Sequence, residues 1–528
     1  MGNIDTHPHA GVFEKLKRLF SDTGIYGTGE VATSALNFLL LPVYTRYLSP
    51  SDYGVIALVI VLEAATKILF RWGIDGAYLR LYYDCQSDDA RRKLTSTLFA
   101  FLFVVNGIVV AFTTIQASII SHWLFGSVEY ADLLRMVLLN TFVISFFFFP
   151  YSVLRVEERT KPVAVLAFSR SASVLIMRLL FVVGAGTGVR GVVLADLVVS
   201  VGFAIVAAKW VLPLLRMTFS KVVIREALSF GLPRVPHGIA HSAIALSDRY
   251  LLSLFVTITE VGVYSIGATF SLAIKLFLGA FDYAWTPFYL SLMKDRQAKQ
   301  IFSKVTTYVF GVEVLLVTGL SAIGGDLVRL MTTSEFYGAS VVVPWVALGV
   351  LFQGVYQLTV IGLNITKRTR YLPVATGIAA LVSITGNLVL IPRYGVIGAA
   401  WASAISYAVL ALIAMRLSQM HYYIDYEWGR LAKVAISALV AYALARLFVP
   451  SVSHSSTAVA IRGGVVLFAY GSSLWLLGFF DVMERRKLWK WFVAGRLASN
   501  VDAKTNDSLG IAKIVNGRAD LFTSQRDD

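Results

Sequence analysis

The sequence predicts an all-α polytopic membrane protein with about 14 transmembrane helices, arranged as two six-helix repeats plus an appended C-terminal helix pair. Four observations predict it. Apolar runs of about twenty residues, the length that spans a bilayer, recur along the whole chain. Only 15% of the 528 residues are charged and the mean hydropathy is +0.70, whereas soluble chains carry about 25% charged residues. The loops between the runs alternate between strongly basic and nearly uncharged. Finally, several landmarks return about two hundred residues later, in one order and at nearly one spacing.

Taken in order, residues 1–23 are polar and charged and hold no signal-peptide core. Val12, Phe13, Leu16, Leu19 and Phe20 alternate there with Glu14, Lys15, Lys17 and Arg18, the pattern of a cytoplasmic helix lying on a membrane surface. Spans are expected at 24–48, 54–79, 94–120, 132–154, 162–184, 189–212, 227–256, 261–290, 302–323, 341–363, 371–391, 396–418, 431–450 and 457–480. The first six, 24–212, make an N-terminal bundle and the next six, 227–418, a C-terminal bundle. Residues 431–480 are the additional pair. A basic cytoplasmic tail occupies 484–528; its Lys487-Leu488-Trp489-Lys490-Trp491-Phe492 reads as a surface anchor, and the residues after Ser499 as disordered.

One set of loops holds 24 basic residues, among them Arg80, Arg91, Arg92, Lys93, Arg155, Lys161, Lys221, Arg225, Lys367 and Arg370. The other set offers Arg190, Arg329 and Arg393. The positive-inside rule therefore puts both termini in the cytoplasm. The same excess accounts for the net charge of +15 and the pI of 9.7 without a nucleic-acid partner.

The landmark stretch is Leu41 to Gly54, LPVYTRYLSPSDYG. It ends one apolar run on Arg46, breaks at Ser49-Pro50-Ser51-Asp52 and opens the next run at Tyr53-Gly54. Ser247-Asp248-Arg249-Tyr250-Leu251 followed by Val261-Gly262-Val263-Tyr264 repeats the arrangement. Arg46 to Arg249 is 203 residues and Gly54 to Gly262 is 208; Gly188 and Gly395 are 207 apart, Pro162 and Pro373 211. Six spans separate each landmark from its copy. Six is even, so both copies keep one orientation, and the halves should be related by an axis along the membrane normal with a cavity between them.

A charge at the bilayer centre costs at least about 2.5–3.5 kcal/mol, so each one inside a span calls for a reason. Span 2 carries Glu63, Lys67 and Arg71 on one stripe. Span 5 carries Arg170 and Arg178 on one side, span 7 Asp248 and Arg249, span 8 Lys275 and Asp282. Glu30, Asp196 and Glu313 stand in spans 1, 6 and 9. Plainer roles exist for several of them. Arg46, Arg71 and Arg178 suit snorkelling to an interface, while Asp248 with Arg249 and Glu63 with Lys67 suit structural neutralisation. His237 and His241 are one turn apart with no third ligand nearby, so no metal is expected.

Taken together, the cations of spans 1, 2, 5, 7 and 8 outline a cavity for anionic cargo, and guanidinium suits phosphate through bidentate hydrogen bonds. Depth and charge select Lys67, Arg170, Arg178 and Lys275 for that role. Neither a phosphate-binding glycine loop nor a nucleophile triad is present, so no catalytic residue and no cofactor are expected. The single cysteine, Cys85, leaves no internal disulfide and no Cys-based metal site. Transport on an ion or substrate gradient remains.

The stretch LPVYTRYLSPSDYGVIALV from Leu41 to Val59 resembles the opening of bacterial polysaccharide transporters, the Wzx-type flippases of the MOP exporter superfamily. Similar features are the basic loop after Arg80-Leu81-Tyr82-Tyr83, the Ser247–Tyr250 and Val261–Ser265 segments, and Tyr394-Gly395-Val396-Ile397-Gly398-Ala399-Ala400. The resemblance covers about residues 20–480. It implies a V-shaped, two-bundle transporter of the bacterial inner membrane. Such a protein moves undecaprenyl-diphosphate-linked oligosaccharide from the cytoplasmic to the periplasmic leaflet for O-antigen, capsule or exopolysaccharide assembly. Related lipid II flippases hold the diphosphate on cavity arginines, and Arg46 and Arg249 match the recurrent motifs.

Alternating access would then reset on a proton or a sodium ion, with Glu30, Asp248 and Asp282 as the carboxylates expected to carry it. The partners implied are lipid-linked oligosaccharide, membrane lipids and the polymerase and chain-length proteins of the same assembly line, with a monomer as the transport unit. Two alternatives differ in what they require. A multidrug exporter of the same superfamily would need an acidic or aromatic cavity for cationic cargo. A glycan polymerase or glycosyltransferase would need a large outer loop with carboxylates, whereas the longest outer loop here is about 323–340.

Overall fold

The computed structural model describes residues 35–485 apart from 37, 158, 294, 449–454 and 483. The expected surface helix at 1–23, the first part of span 1 with Glu30, and the tail from residue 486 onward lie outside the described residues. Among the described residues every regular element is helical.

The first half opens with α1 (Leu41–Tyr47) and α2 (Pro50–Arg71). Trp72 and Gly73 both turn left-handed, at φ 52° and 68°, which stops α2; α3 (Ile74–Asp84) then carries the span on to the first basic loop. The break leaves a carbonyl at Phe70 that nothing in the helix satisfies. Asn106, fully buried on the next helix, donates to it at 2.7 Å and accepts the Trp72 indole N–H at 3.1 Å. Then follow α4 (Asp88–Ile115), α5 (Ala117–Phe125), α6 (Ala131–Ile144), α7 (Phe148–Val156), α8 (Thr160–Leu179) and, after a π turn at Leu180–Gly184, α9 (Gly188–Val211).

The second half runs through α10 (Lys221–Gly231), α11 (Val235–Ser253), α12 (Ile258–Phe270), α13 (Leu272–Leu292), α14 (Ala298–Met331), α15 (Val343–Thr359), α16 (Ile361–Ile365) and α17 (Leu372–His421). The 50 residues of α17 are two helices folded back at Gly395, whose φ of 56° and ψ of −133° are not helical. Gly398 lets the arms close, since a Cβ there would stand 2.3 Å from the Leu390 carbonyl oxygen. Last come α18 (Trp428–Phe448) and α19 (Ser455–Leu476), packed on each other and on α14. Arg430 fastens this pair at the basic end, donating to Glu427 at 3.1 Å and to Glu484 at 2.9 Å. Burial works against ionisation of the Glu484 carboxyl. Donors from Tyr308, the Asp481 N–H and Arg430 outweigh it and hold that carboxyl below its ordinary range.

Among the described residues ten helices are long and apolar enough to cross a membrane, or eleven with the bent pair α12–α13. The difference from the 14 expected spans has three locations. Much of the first span lies outside the described residues, the folded α17 passes as one helix, and 221–253 is shortened by the break at Pro233. Span 9 is longer than expected, reaching Met331 instead of residue 323.

The landmark stretches meet in space. Ser49 caps α2 in a capping box with Asp52, and Thr257 caps α12 in the same way with Glu260. The two helices then cross at glycines. A Cβ at Gly54 would stand 2.0 Å from the Ile258 carbonyl oxygen, and one at Gly262 would stand 1.8 Å from that of Pro50. Each glycine meets the residue four before the other. Reciprocity of this kind is what a two-fold axis between the helices produces.

Candidate functional site

The site is built along α2, which touches the second half near both of its ends. Beyond its C-terminus, Gly73 and Gly231 meet backbone to backbone; a Cβ on Gly73 would lie 2.3 Å from the Gly231 carbonyl oxygen, and one on Gly231 would lie 2.7 Å from that of Gly73. From Gly54 to Gly73 is 19 residues, about 28 Å of helix and close to the thickness of a bilayer's hydrocarbon core. Glu63 and Lys67 fall between the two contacts.

In the first half the charges gather around α2, α8 and α9. Arg178 donates to Asp196 through two bonds, Nε at 2.8 Å and Nη2 at 2.6 Å. Two turns earlier on α8, Arg170 reaches Ser200 at 3.3 Å, one turn from Asp196 on α9, and lies 5.3 Å over the Phe147 ring. Glu63 is within electrostatic reach of Asp196, Lys67, Arg178 and Arg170. Arg71, at the end of the same stripe, pairs with Asp75 at 3.3 Å.

In the second half a smaller group forms on α11, α12 and α13. Asp248, 5% exposed, accepts the Tyr264 hydroxyl and pairs with Arg249 at 3.2 Å. Arg249 also donates to the Ala245 carbonyl at 3.2 Å. Lys275 is accessible, within electrostatic reach of Arg249 and Asp248. Asp282 is exposed two turns further along α13.

The six cations expected to hold a diphosphate thus sort into two kinds. Arg178 and Arg249 are engaged by carboxylates. Lys67, Arg170, Lys275 and Arg46 have no ion-pair partner among the described residues. Arg46 stands apart from the rest, exposed at the end of the bundle opposite the basic loops. There Thr45 accepts from Thr333 at 3.3 Å and donates to the Met331 carbonyl at 3.4 Å. Of the carboxylates expected to carry an ion, Glu30 lies outside the described residues, Asp248 is fully engaged and Asp282 is open. His237 spends Nδ1 on the Thr376 hydroxyl, 3.1 Å away on α17.

Sequence reasoning passed over Arg234. It and Arg80 stack on Phe230, at 4.1 and 4.9 Å from the ring centroid, beside the Gly73–Gly231 contact. Gly76 makes room for it, since a Cβ there would stand 2.6 Å from an Arg234 nitrogen. The available signal was a cation between two prolines, Pro233 and Pro236, inside an apolar run.

Known proteins share this architecture. The structure of the lipid II flippase MurJ in an inward closed conformation superposes with a TM-score of 0.70 at 15% identity, over 86% of this chain and 97% of that one. An inward-facing multidrug resistance MATE family transporter of the MOP superfamily gives 0.57 at 16% identity, over 76% and 96%. In sequence, the probable low-salt glycan biosynthesis flippase Agl15 of Haloferax volcanii is 22% identical over 196 residues. That alignment covers 37% of this chain and 42% of the relative. The family model described as "Polysaccharide biosynthesis protein" matches residues 19–293, just over half of the chain. With the MurJ- and MATE-like fold around it, that match makes this chain a member of the polysaccharide biosynthesis protein family.

Proposed function

We propose that the protein is a flippase for undecaprenyl-diphosphate-linked oligosaccharide in the bacterial inner membrane, with both termini cytoplasmic. Its product serves O-antigen, capsule or exopolysaccharide assembly, in company with polymerase and chain-length proteins. The observation that carries this reading is the set of cations within the spans that make no ion pair among the described residues: Lys67 and Arg170 in the 24–212 bundle and Lys275 in the 227–418 bundle. A buried or cavity-facing cation without a counter-ion is costly, and an anionic headgroup supplies the missing charge. Lys and Arg both bind phosphate, the first as a point charge and the second through its fork. Family membership and the flippase names of Agl15 and MurJ support the same reading.

In this mechanism the lipid tail stays in the bilayer, the diphosphate rests on Lys67, Arg170 and Lys275, and the glycan crosses between the halves. Arg178 and Arg249 organise the site through Asp196 and Asp248 and become available when those pairs open. Arg46 meets the headgroup at the far end. A proton or sodium gradient resets the cycle.

The test is deletion in the native host, followed by complementation. Lipid-linked oligosaccharide should accumulate on the cytoplasmic leaflet and a surface polymer should disappear. Wild type should restore it, and a Lys67→Ala, Arg170→Ala, Lys275→Ala triple variant at normal expression should not. Normal polymer from the triple variant defeats the assignment. Unchanged polymer with new drug sensitivity on deletion would install the multidrug reading in its place.

A further inference from the structure

Glu313 stands near the middle of the 34-residue α14 and is completely buried, at 0% exposure. Neither of its carboxyl oxygens has a hydrogen-bond partner among the described residues. The group lies against Gly354 of α15, where a Cβ would stand 2.0 and 2.3 Å from the two oxygens. Glycine at 354 is therefore what makes room for the carboxyl. The side-chain oxygens of Gln353 and Gln357 on the same helix are also buried without a donor. Gln357 is one turn from Gly354, on the face that meets Glu313.

The helices packed around α14 carry many charged and titratable groups, and none of them answers Glu313. On α18, Arg430 is committed to Glu427, Glu484 and Tyr308, Lys433 to the Gly478 carbonyl at 2.9 Å, and Arg446 to Tyr442. On α19, Arg462 pairs with Asp326, and the Tyr470 hydroxyl donates to the Gly311 carbonyl at 2.8 Å. Tyr356 on α15, Lys275, Asp282, Tyr283 and Tyr289 on α13, and Glu260 and Tyr264 on α12 make no bond to it. Neither do Tyr44, Arg46 and Tyr47 on α1, nor Glu335 and Tyr337 in the turn before α15. Among the described residues no cation pairs with the Glu313 carboxyl and no donor reaches it. A carboxylate buried with neither donor nor cation beside it is untenable at this depth, whereas a carboxylic acid is not.

We propose that Glu313 is the proton-carrying site of the transport cycle, holding a proton while α14 and α15 are packed as here and releasing it when they part. This rests on the transporter reading above and names the coupling residue within it. On release the O–H bond breaks, the proton passes to water reaching the opened contact, and the carboxylate keeps the electron pair. Nothing is oxidised or reduced. Of the carboxylates selected from the sequence, Glu30 lies outside the described residues, and Asp248 and Asp282 have surroundings unlike those of Glu313. Asp248 is stabilised by Tyr264 and Arg249 in this state, and Asp282 is open to its surroundings.

Two readouts on the full chain in lipid vesicles test it. Infrared difference spectra at neutral pH should contain the carbonyl stretch of a protonated carboxylic acid that is missing in Glu313→Gln. Identical spectra for the two proteins overturn the proposal. A pH gradient should accelerate wild-type flipping of a fluorescent polyprenyl diphosphate several-fold and leave the rate of Glu313→Gln unchanged; an equal response in the variant also overturns it. Gly354→Ala covers the case in which Glu313→Gln fails to fold. Its Cβ displaces the same carboxyl and should shift the band, and an unmoved band counts against Glu313. Vesicles that show the band but no flipping of the probe would remove the flippase reading and leave the proton site standing.

Discussion

α2 and α12 start alike and finish differently. Ser49 and Thr257 cap them, Asp52 and Glu260 close the capping boxes, and Gly54 and Gly262 form the crossing, each pair 208 residues apart. After that the copies diverge. α2 runs 22 residues to a left-handed break at Trp72 and Gly73, while α12 runs 13 before the chain bends by 44° into α13. One carries Glu63 and Lys67 towards an arginine held from a neighbouring helix. The other leads into Lys275 and Asp282, beside an arginine held by its own sequence neighbour. The crossing ties each start to its copy, because each glycine is the space the other helix's backbone fills. No such mutual constraint ties the later turns together, and there the chemistry differs.

The strongest way to break this comparison is to fill one side of the crossing. Gly54→Val and Gly262→Val each drive side-chain carbon into backbone, and each should cost about 3 kcal/mol or more. Thermal unfolding of the purified proteins reads this; a tolerated valine at one glycine alone would refute the reciprocity. The difference in how the arginines are held gives the next effect. Asp196→Ala strands a largely buried guanidinium and should cost about 2 kcal/mol, and adding Arg178→Ala should recover part of it. A purely additive double variant would show that the pair does not couple α8 to α9. Smallest are the caps. Ser49→Ala and Thr257→Ala should each cost about 1 kcal/mol and by similar amounts. A cap that matters on one helix only would mean that the likeness of the starts is geometric without being energetic.

Those starts were legible because their motif is local: Ser-Pro-Ser-Asp before Tyr-Gly is visible in six residues, and its copy is visible at a fixed offset. The pairing of Asp248 with Arg249 was open to reading for the same reason. Arg178 was harder. Its stripe on α8 shows which way it points, yet nothing local says that Asp196 stands opposite on α9. The division of 371–391 from 396–418 was legible as well, and Gly395 is the residue at which the structure folds that apolar run into two arms. Glu313 was visible as one acid in an apolar run, but what distinguishes it is the lack of any answering group on the surrounding helices. That absence exists only after packing.

The two glycine contacts along α2 have one further consequence. A joint made of side chains can loosen by degrees as rotamers shift; one in which backbone rests on backbone has nothing to rearrange. Gly54 with Ile258 and Gly73 with Gly231 are joints of the second sort. Each is therefore all-or-none, seated or apart. Both joints exist only while positions 54 and 73 carry no side chain, so a single added methyl group at either would hold the two halves apart there.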